Sequence, residues 1–321
     1  MEVTNLSTGF ADFGEISHST DLLVAQGKLW LFNLNFKDQP NLHFGSHVVH
    51  IGSYVLVFDL SSKTWTKIEF PAITNEENLG EQIFTHNDQI YLILYKNFGG
   101  YLFDSLYKFN GSGFEKLEKF THPAEVSFDS QIRISSVSAN GSSSNGDVVL
   151  VLNGRGMAVF TLRISEDQGS NIEFIAEAHE EPSPMSGTAT SAAVINNNAI
   201  ISYGVHGCGF RWQSNVFTKI DLSTKSVQDI HFDSEDHPRF CFSGARTTSL
   251  NSANEWIHAA GSIQVGMTGS KFDGSVWKLT NILGDSPNWV QVQGELSGKI
   301  AVANGNEIWT VSPDNVNYYK F

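Results

Sequence analysis

Arginine is scarce in this acidic sequence, and four of its six copies lie between apolar runs or at the start of one, in three consecutive units of a sequence repeat. The chain has 20 basic and 34 acidic residues and a net charge of −14. Arg155, Arg211 and Arg239 lie in polar segments between apolar runs, and Arg246 lies where an apolar run begins. A guanidinium donates paired hydrogen bonds to a carboxylate or a phosphate. We therefore predict that these four side chains bind an anionic group.

Aromatic and basic side chains accompany the arginines. Phe210 and Trp212 flank Arg211, and Lys271 lies in a segment of the same kind. Arginine mixed with aromatic residues is typical of the centres of protein interfaces. In the alternative, the arginines pair with loop carboxylates such as Asp236 and only hold their own loops in place. The partner-binding site that the sequence predicts consists of Arg155, Arg211, Arg239, Arg246, Phe210, Trp212 and Lys271.

Histidines invite a metal interpretation, which the surrounding residues disfavour. The candidate ligands are His43, His47 and His50 in one segment, and His206-Gly207-Cys208 in another. Spacings of four and then three would place the first three on one face of a helix, but a glycine and two valines between them disfavour a helix. In a strand the third histidine would point away from the first two. A zinc-type pair of ligand pairs does not occur, so we expect no metal and no other cofactor.

Sequence patterns that mark catalytic sites are missing as well. The chain contains no G-x-S-x-G turn, no phosphate-binding loop and no HExxH motif. A carboxylate pair such as Glu81 with Asp104 would need the fold to bring its members together before it could act as acid and base. We therefore assign no catalytic residue from the sequence, and we favour a binding protein over an enzyme.

Charge and cysteine content restrict partners and compartment. A net charge of −14 disfavours nucleic acid and anionic membranes as partners. Cys208 and Cys241 are the only two cysteines, which is typical of a reducing compartment rather than of a disulfide scaffold. Neither a signal peptide nor a run of 18 apolar residues is found. We expect a cytoplasmic, monomeric protein.

Short strands must position the candidate residues. In the first unit, apolar runs at residues 22–24, 29–32, 54–58 and 65–68 are rich in β-branched and aromatic side chains. Gly, Asn, Asp or Ser bounds each run, as is typical of strands joined by tight turns. A single four-stranded meander cannot bury both of its faces, so it needs copies of itself to pack against. The sequence predicts such copies.

Second strands of the successive units recur at a near-constant spacing. The intervals between their starts are 61, 58, 52, 56 and 52 residues, for starts at Leu29, Ile90, Val148, Ile200, Trp256 and Ile308. The first strand of each unit ends in a polar turn, among them Gln26-Gly27, Asn87-Asp88 and the segment 140–146. The sequence Asp59-Leu60-Ser61-Ser62-Lys63 returns 162 residues later as Asp221-Leu222-Ser223-Thr224-Lys225. Four short strands per unit at this period are typical of a β-propeller.

We predict one all-β domain over residues 1–321, a six-bladed β-propeller of four-stranded antiparallel blades. The last unit has only three strands, so an N-terminal strand within residues 2–7 is expected to complete it as its outer strand and close the ring. In the alternative, the last two strands of the chain form the outer pair and the N-terminal strand lies further in. The predicted blades span residues 20–70, 81–120, 130–178, 187–232, 242–293, and 298–321 together with 1–10.

The best copies of the unit span residues 184–232 and 238–292, with Tyr203-Gly204 in the first and Ala260-Gly261 in the second. Trp65 and Trp289 stand before the outer strands of their units. On these residues the unit resembles a divergent kelch repeat, and the resemblance covers nearly the whole chain. It implies an adaptor-like binding propeller, although similar propellers also occur in isomerases, oxidases and specifier proteins. The iron-binding E-x3-D-x3-H run of nitrile-specifier-like kelch proteins does not occur.

The two faces of such a propeller differ in loop length. Connections between blades, and between the second and third strands of a blade, open on one face; they include segments 33–53, 95–105, 153–157, 204–215 and 262–275. Long loops on a rigid scaffold commonly carry binding residues. We predict a module that binds a protein or an acidic peptide through this face. The alternatives are a small-molecule enzyme with a site at the tunnel mouth, or a carbohydrate-binding propeller that exposes Trp30, Trp212 and Trp277.

Overall fold

All regular structure in the described part of the chain is β-strand. The computed structural model describes residues 2–5, 20–37, 48–71, 73–75, 79–96, 103–117, 120–121, 136–153, 157–165, 169–178, 187–205, 216–231, 248–250, 255–259, 262–265, 269–272, 275–284, 287–293, 296, 300–312 and 315–321. Within these ranges, no helix has the length and apolar character that crossing a membrane requires.

The strands follow one another at short intervals along the chain. The first fifteen are β1 (Glu2–Asn5), β2 (Thr20–Ala25), β3 (Lys28–Lys37), β4 (Val48–Asp59), β5 (Thr64–Glu69), β6 (Ile73–Asn75), β7 (Leu79–His86), β8 (Gln89–Lys96), β9 (Phe103–Phe109), β10 (Phe114–Lys116), β11 (Phe120–Thr121), β12 (Ser136–Ser142), β13 (Val148–Asn153), β14 (Met157–Arg163) and β15 (Ser170–Ala178). The others are β16 (Gly187–Ile195), β17 (Asn198–Val205), β18 (Val216–Asp221), β19 (Val227–His231), β20 (Thr248–Leu250), β21 (Trp256–Ala259), β22 (Ser262–Val265), β23 (Gly269–Phe272), β24 (Val276–Thr280), β25 (Asn288–Gln293), β26 (Ile300–Asn304), β27 (Glu307–Ser312) and β28 (Asn315–Lys320).

Sequential strands pair with each other, so the described residues form six four-stranded antiparallel sheets. We number the sheets I (β2-β3-β4-β5), II (β7-β8-β9-β10), III (β12-β13-β14-β15), IV (β16-β17-β18-β19), V (β20-β21-β24-β25) and VI (β26-β27-β28-β1). Short additions are β6 against β4, β11 parallel to β15, and the separate hairpin β22-β23. The all-β prediction is confirmed, and the arrangement is consistent with a propeller-like fold.

The second strand of a sheet is buried on both of its faces. Side chains of a strand alternate between the two faces, and in β3 Leu29 and Leu31 pack against sheet VI whereas Trp30 and Phe32 pack against sheet II. Burial of each such side chain stabilises the fold by about 1.5–3 kcal/mol. The second strand therefore has a continuous run of apolar residues in its sequence, as at residues 29–32.

Apolar clusters join each sheet to the next. In the described residues, the cluster between sheets I and II contains Trp30 and Leu92, and the one between sheets VI and I contains Trp309 and Leu29. The intervening pairs of sheets meet around Phe103 with Phe160 (II–III), Val159 with Ile201 (III–IV), Ile200 with Leu279 (IV–V) and Val276 with Ile308 (V–VI). The series of contacts therefore returns from the last sheet to the first.

Strand β1 is the outermost strand of sheet VI, the position that the sequence predicted for an N-terminal strand. It pairs antiparallel with β28, with Glu2 opposite Lys320 and Asn5 opposite Asn317. An outer strand left without this partner would present unpaired N–H and C=O groups to solvent. The two ends of the described chain are thus held in one sheet.

One predicted turn is shorter than the sequence suggested. Segment 140–146 was expected to lie outside the strands, but β12 continues through Ser142. The turn itself is closed by hydrogen bonds from the Ser143 amide to the Asp147 carbonyl at 2.8 Å and from the Gly146 amide to the Ser143 carbonyl at 2.9 Å. A bulge between Ala139 and Ser142 takes the additional residues into the strand.

Candidate functional site

Tight turns join the first two strands of each sheet at one edge, which we call the short-turn edge. Gln26-Gly27 has φ values of 56° and 67°, and Asn196-Asn197 has 47° and 60°. Two consecutive left-handed residues suit the twist of a two-residue hairpin, and Asn and Gly tolerate that conformation best. Asn87-Asp88 repeats the pattern with 47° and 58°. These residues are therefore explained by turn geometry.

The third and fourth strands of sheets I and IV are joined at the same edge by identical turns. In sheet I the Asp59 Oδ1 accepts backbone hydrogen bonds from Ser61 at 2.9 Å and Ser62 at 2.8 Å. Hydrogen bonds from Ser61, first from its hydroxyl, lower the pKa of Asp59 far below its ordinary value. In sheet IV the turn after Asp221 makes the same bonds, and the backbone amide of Thr224 is the largest cause of a lowered pKa at Asp221.

Hydrogen bonds also link the turns of neighbouring sheets. The Gln26 amide of sheet I donates to Asp88 Oδ1 of sheet II, and the Ser144 amide of sheet III donates to Asn197 Oδ1 of sheet IV at 2.8 Å. The Asn197 amide group in turn donates to Ser223 Oγ at 2.7 Å. The short-turn edges of sheets I to IV therefore lie side by side, and polar groups of neighbouring turns hydrogen-bond to one another.

A cluster of titratable residues joins sheets II and III. The buried ring of His86 lies 3.4 Å from Ser142 Oγ through Nδ1 and 3.1 Å from the Asn87 amide through Nε2. Burial lowers the pKa of His86, and the nearby charge of Asp147 partly opposes that effect. Arg163 donates to both oxygens of Asp147, at 3.0 and 3.3 Å. Because the carboxylate is oriented by the arginine and not by the imidazole, the cluster is a structural joint rather than a serine-type catalytic triad.

The opposite edge, which we call the loop-rich edge, carries much longer connections. Antiparallel alternation places there the links between sheets and between the second and third strands of a sheet. At the short-turn edge the strand bounds leave between two and seven residues per connection. At the loop-rich edge six connections have ten residues or more, namely 6–19, 38–47, 117–135, 206–215, 232–247 and 260–275.

Additional strand pairing occurs at two places on the loop-rich edge. In sheet I a bulge between Asn33 and Asn35 allows β3 and β4 to continue pairing beyond the sheet, and β6 joins β4 there, with Ile51 opposite Ile73. In sheet V the link from β21 to β24 contains the hairpin β22-β23. Backbone hydrogen bonding therefore extends the scaffold into the loop-rich edge at sheets I and V.

Lys271 is the predicted site residue whose backbone the structure describes. It lies in β23 opposite Ile263, within the hairpin of the loop-rich edge. The others lie outside the described residues: Arg155, Arg211, Arg239, Arg246, Phe210 and Trp212. Their flanking strands end at the loop-rich edges of sheets III, IV and V. Whether these side chains come together stays a prediction.

Tryptophans that a carbohydrate site would need to expose are packed instead. Trp30 is only 3% exposed, and its indole N–H donates to the Ala25 carbonyl at 2.9 Å. Trp277 is half-buried against the cluster between sheets IV and V, and its indole N–H donates to Ser275 Oγ at 2.9 Å. These two rings therefore pack between sheets.

Metal-binding groups do not cluster in the described part of the chain. Among those residues, no three His, Cys, Asp or Glu side chains come together as a metal site requires. His50 lies in β4, where its backbone pairs with Asn35 and Thr74. His43, His47, His206 and Cys208 lie outside the described residues.

A cleft between sheets IV and V was not predicted. It has a volume of about 310 Å³ and lies at the short-turn edge, between the β18-β19 hairpin and the β24-β25 turn. Two charged residues, Lys219 and Asp229, belong to its lining. Lys219 takes the place that Val57 has in the first repeat unit. Aligning the two Asp-Leu-Ser turns in the sequence reveals this difference between valine and lysine, and it is the sequence signal from which the cleft could have been predicted.

Comparison with known proteins gives a likeness of fold. No protein-family model and no curated protein sequence matches the chain. Among solved structures, the major Malassezia sympodialis allergen Mala s 1 is similar, with 10% identity, a TM-score of 0.51, and coverage of 99% of this chain and 93% of the allergen. At that identity the similarity concerns the fold alone.

Two further structures are similar at lower scores. The extracellular domain of a one-component system of B. thetaiotaomicron has 9% identity and a TM-score of 0.38, covering 96% of this chain and 39% of its own. BamB from Moraxella catarrhalis has 11% identity and a TM-score of 0.38, and the match covers 94% of this chain and 93% of BamB.

Proposed function

We propose that this chain is a binding module that recognises a protein or an acidic peptide through its loop-rich edge. The observation that carries the proposal is the contrast between the two edges. Connections at the short-turn edge have at most seven residues and hydrogen-bond to one another, whereas six at the loop-rich edge have ten or more. Binding residues are commonly placed on long connections that a rigid scaffold holds.

The proposal includes a closed, six-bladed and kelch-like propeller. Two observations support closure: an apolar cluster lies between sheets VI and I, and β1 supplies the outer strand of sheet VI. The recurrence of one Asp-Leu-Ser turn in sheets I and IV supports a repeated blade. A closed ring leaves no free sheet edge between its first and last blades.

The proposed contacts combine charge with apolar area. Arg155, Arg211, Arg239 and Arg246, with Lys271, would pair with carboxylates of the partner, and Phe210 and Trp212 would supply the buried centre. Adaptor-like action in the cytoplasm is part of the same proposal, supported by the two cysteines and the acidic net charge. The carbohydrate alternative loses support because Trp30 is buried.

Quantitative affinity capture from a native lysate tests the proposal. The wild type is compared with the double variant Arg211→Ala, Trp212→Ala and with a matched control, Lys116→Ala, Val227→Ala. The control also removes one cation and one apolar side chain, both exposed on outermost strands of sheets II and IV. We expect a partner that is lost from the first variant and retained by the control. Equal capture by all three proteins would contradict the proposal and favour a small-molecule role at the tunnel.

A further inference from the structure

The cleft between sheets IV and V is an opening in a position that another repeat unit fills. The Asp59 and Asp221 turns align the two units, which places Lys219 at the position of Val57 and Gln228 at the position of Thr66. The strand register agrees, because Val57 pairs with Thr66 and Lys219 pairs with Gln228. The two sites can therefore be compared residue by residue.

In the first unit this position belongs to the core. Val57 is 4% exposed and packs in the cluster between sheets I and II, which contains a group of phenylalanines. Phe70, Phe109 and Phe114 lie within 5.2 to 6.0 Å of one another by ring centroids. In the fourth unit Lys219 is half-buried and lines a cleft of about 310 Å³. The junction of sheets IV and V is thus open at a position that is filled between sheets I and II.

The surface of the cleft is largely polar, and its lining includes apolar side chains as well as the cationic group of Lys219. Ile230 is half-buried and Ile282 is buried, and both pack in the cluster between the sheets. Leu283 and Pro287 continue the apolar lining from the β24-β25 turn. Gln228 adds an amide group at the rim. Such a mixture suits a ligand with an apolar body and one polar end.

The ammonium group of Lys219 is available to such a ligand. Within the described part of the chain no carboxylate lies at ion-pair distance from it. Asp229 also borders the cleft, but its carboxylate accepts a hydrogen bond from the Thr218 hydroxyl at 2.8 Å. Asp221 interacts with Lys219 through charge, yet its Oδ1 is held by the backbone of its own turn. Among the described residues, Lys219 therefore has no direct ion-pair partner that would compete with an incoming anion.

We propose that this cleft binds a carboxylate attached to an apolar group. The Lys219 Nζ donates hydrogen bonds to the carboxylate, and the apolar group lies on Ile230, Ile282 and Leu283. A cleft of about 310 Å³ has the size of a small-ligand site. The ligand is either a free carboxylic acid or the C-terminal residue of a peptide, since both present the same chemistry. The site lies at the short-turn edge, so it is independent of the loop-rich edge proposed above.

Isothermal titration with matched probes tests this site. The probes are 3-phenylpropionate against 3-phenylpropionamide, and the peptide acetyl-Gly-Gly-Leu with a free or an amidated C-terminus. The variants are Lys219→Met, which keeps the aliphatic stem; Gln228→Trp, which fills the cleft from its exposed rim; and Lys116→Met, an exposed lysine on another outermost strand. Unfolding midpoints of all variants establish that each is folded.

We expect the acid or the free peptide to bind the wild type at least about tenfold more tightly than its amide, because a hydrogen-bonded charge contributes about that much. Lys219→Met should lose this preference, Gln228→Trp should lose binding, and Lys116→Met should behave as the wild type. Whichever binds more tightly, 3-phenylpropionate or the peptide with a free C-terminus, indicates whether the ligand is a free carboxylic acid or the C-terminal residue of a peptide. Equal affinity for acid and amide, or no effect of Lys219→Met, would overturn the proposal, as would absence of binding to every probe.

Discussion

The carboxylates of Asp59 and Asp221, 162 residues apart in the sequence, hold the same turn in two different sheets. Each Oδ1 accepts backbone hydrogen bonds from the residues two and three positions later, at 2.8 to 2.9 Å. In each turn the fifth residue adopts a left-handed conformation, with φ of 59° at Lys63 and 61° at Lys225. Sheets I and IV therefore repeat one structural unit, including the backbone hydrogen bonds of this turn.

These two turns predict a loss of stability in acid. The native pKa of both carboxyls is lowered, so their contribution is complete above the ordinary value of 3.8 and is lost as the pH falls below it. Between pH 5 and pH 3 the wild type should lose roughly 1–3 °C more in unfolding temperature than the double variant Asp59→Asn, Asp221→Asn. Asn keeps a side-chain oxygen that accepts these backbone hydrogen bonds, as the Asn110 Oδ1 does from Ser112 and Gly113 in sheet II. Equal losses measured by circular dichroism would contradict this.

Exchanging the residues at positions 57 and 219, which correspond in the two repeat units, should affect stability very differently. Val57→Lys places an ammonium in the core between sheets I and II, which should lower the free energy of unfolding by about 3 kcal/mol or more. Lys219→Val removes a charge from an open cleft and should leave that free energy within about 1 kcal/mol of the wild type. Urea unfolding measures both free energies, and similar costs at the two positions would contradict the assignment of one to the core and the other to an open cleft.

His86 predicts a second dependence on pH, above the range of the carboxyls. Burial lowers its pKa from the ordinary 6.5, so the unfolded chain takes up the proton first and stability falls as the pH drops below 6.5. The charged groups beside it are Asp147, which opposes the shift, and Arg163, which is paired with Asp147. Between pH 7.5 and 5.5 the wild type should therefore lose more thermal stability than His86→Gln. A larger loss in the variant would reverse the assigned sign.

Removal of β1 should destabilise sheet VI and expose its edge. Without residues 1–5, the backbone of β28 loses the partners that Glu2–Asn5 provide. We expect a lower unfolding temperature and concentration-dependent association, because an exposed strand edge pairs with other chains. A synthetic peptide of residues 1–8 added in trans should restore the monomer, as in other cases of strand addition. Unchanged stability and light scattering after truncation would contradict the pairing.

Local composition was sufficient to predict the strands. Expected starts of the second strands lie within two residues of the observed ones at Lys28, Gln89, Val148, Asn198, Trp256 and Glu307. Strand alternation and the demand of tight turns for Asn, Asp and Gly act over a few residues, so they are visible in the sequence. Counting strands indicated that an N-terminal strand completes the last unit, because that unit was a strand short. It did not decide whether this strand lies outermost, as β1 does, or further in.

Features that depend on two distant elements could not be predicted in the same way. The continued pairing of β3, β4 and β6 beyond the Asn33 bulge depends on a register that composition does not specify. The cleft depends on how Lys219 of β18 faces Ile282, some sixty residues further along the chain. The predicted arginine site spans several connections, and apart from Lys271 its residues lie outside the described part.

Hydrogen–deuterium exchange of the protein with its captured partner tests the binding proposal most directly. We predict that the partner protects peptides covering residues 206–215 and 232–247, because these connections contain Arg211, Trp212 and Arg239. The double variant Arg211→Ala, Trp212→Ala should show no such protection. Protection confined to the short turns at residues 60–63 and 222–226, with none at the loop-rich edge, would contradict the proposed binding face.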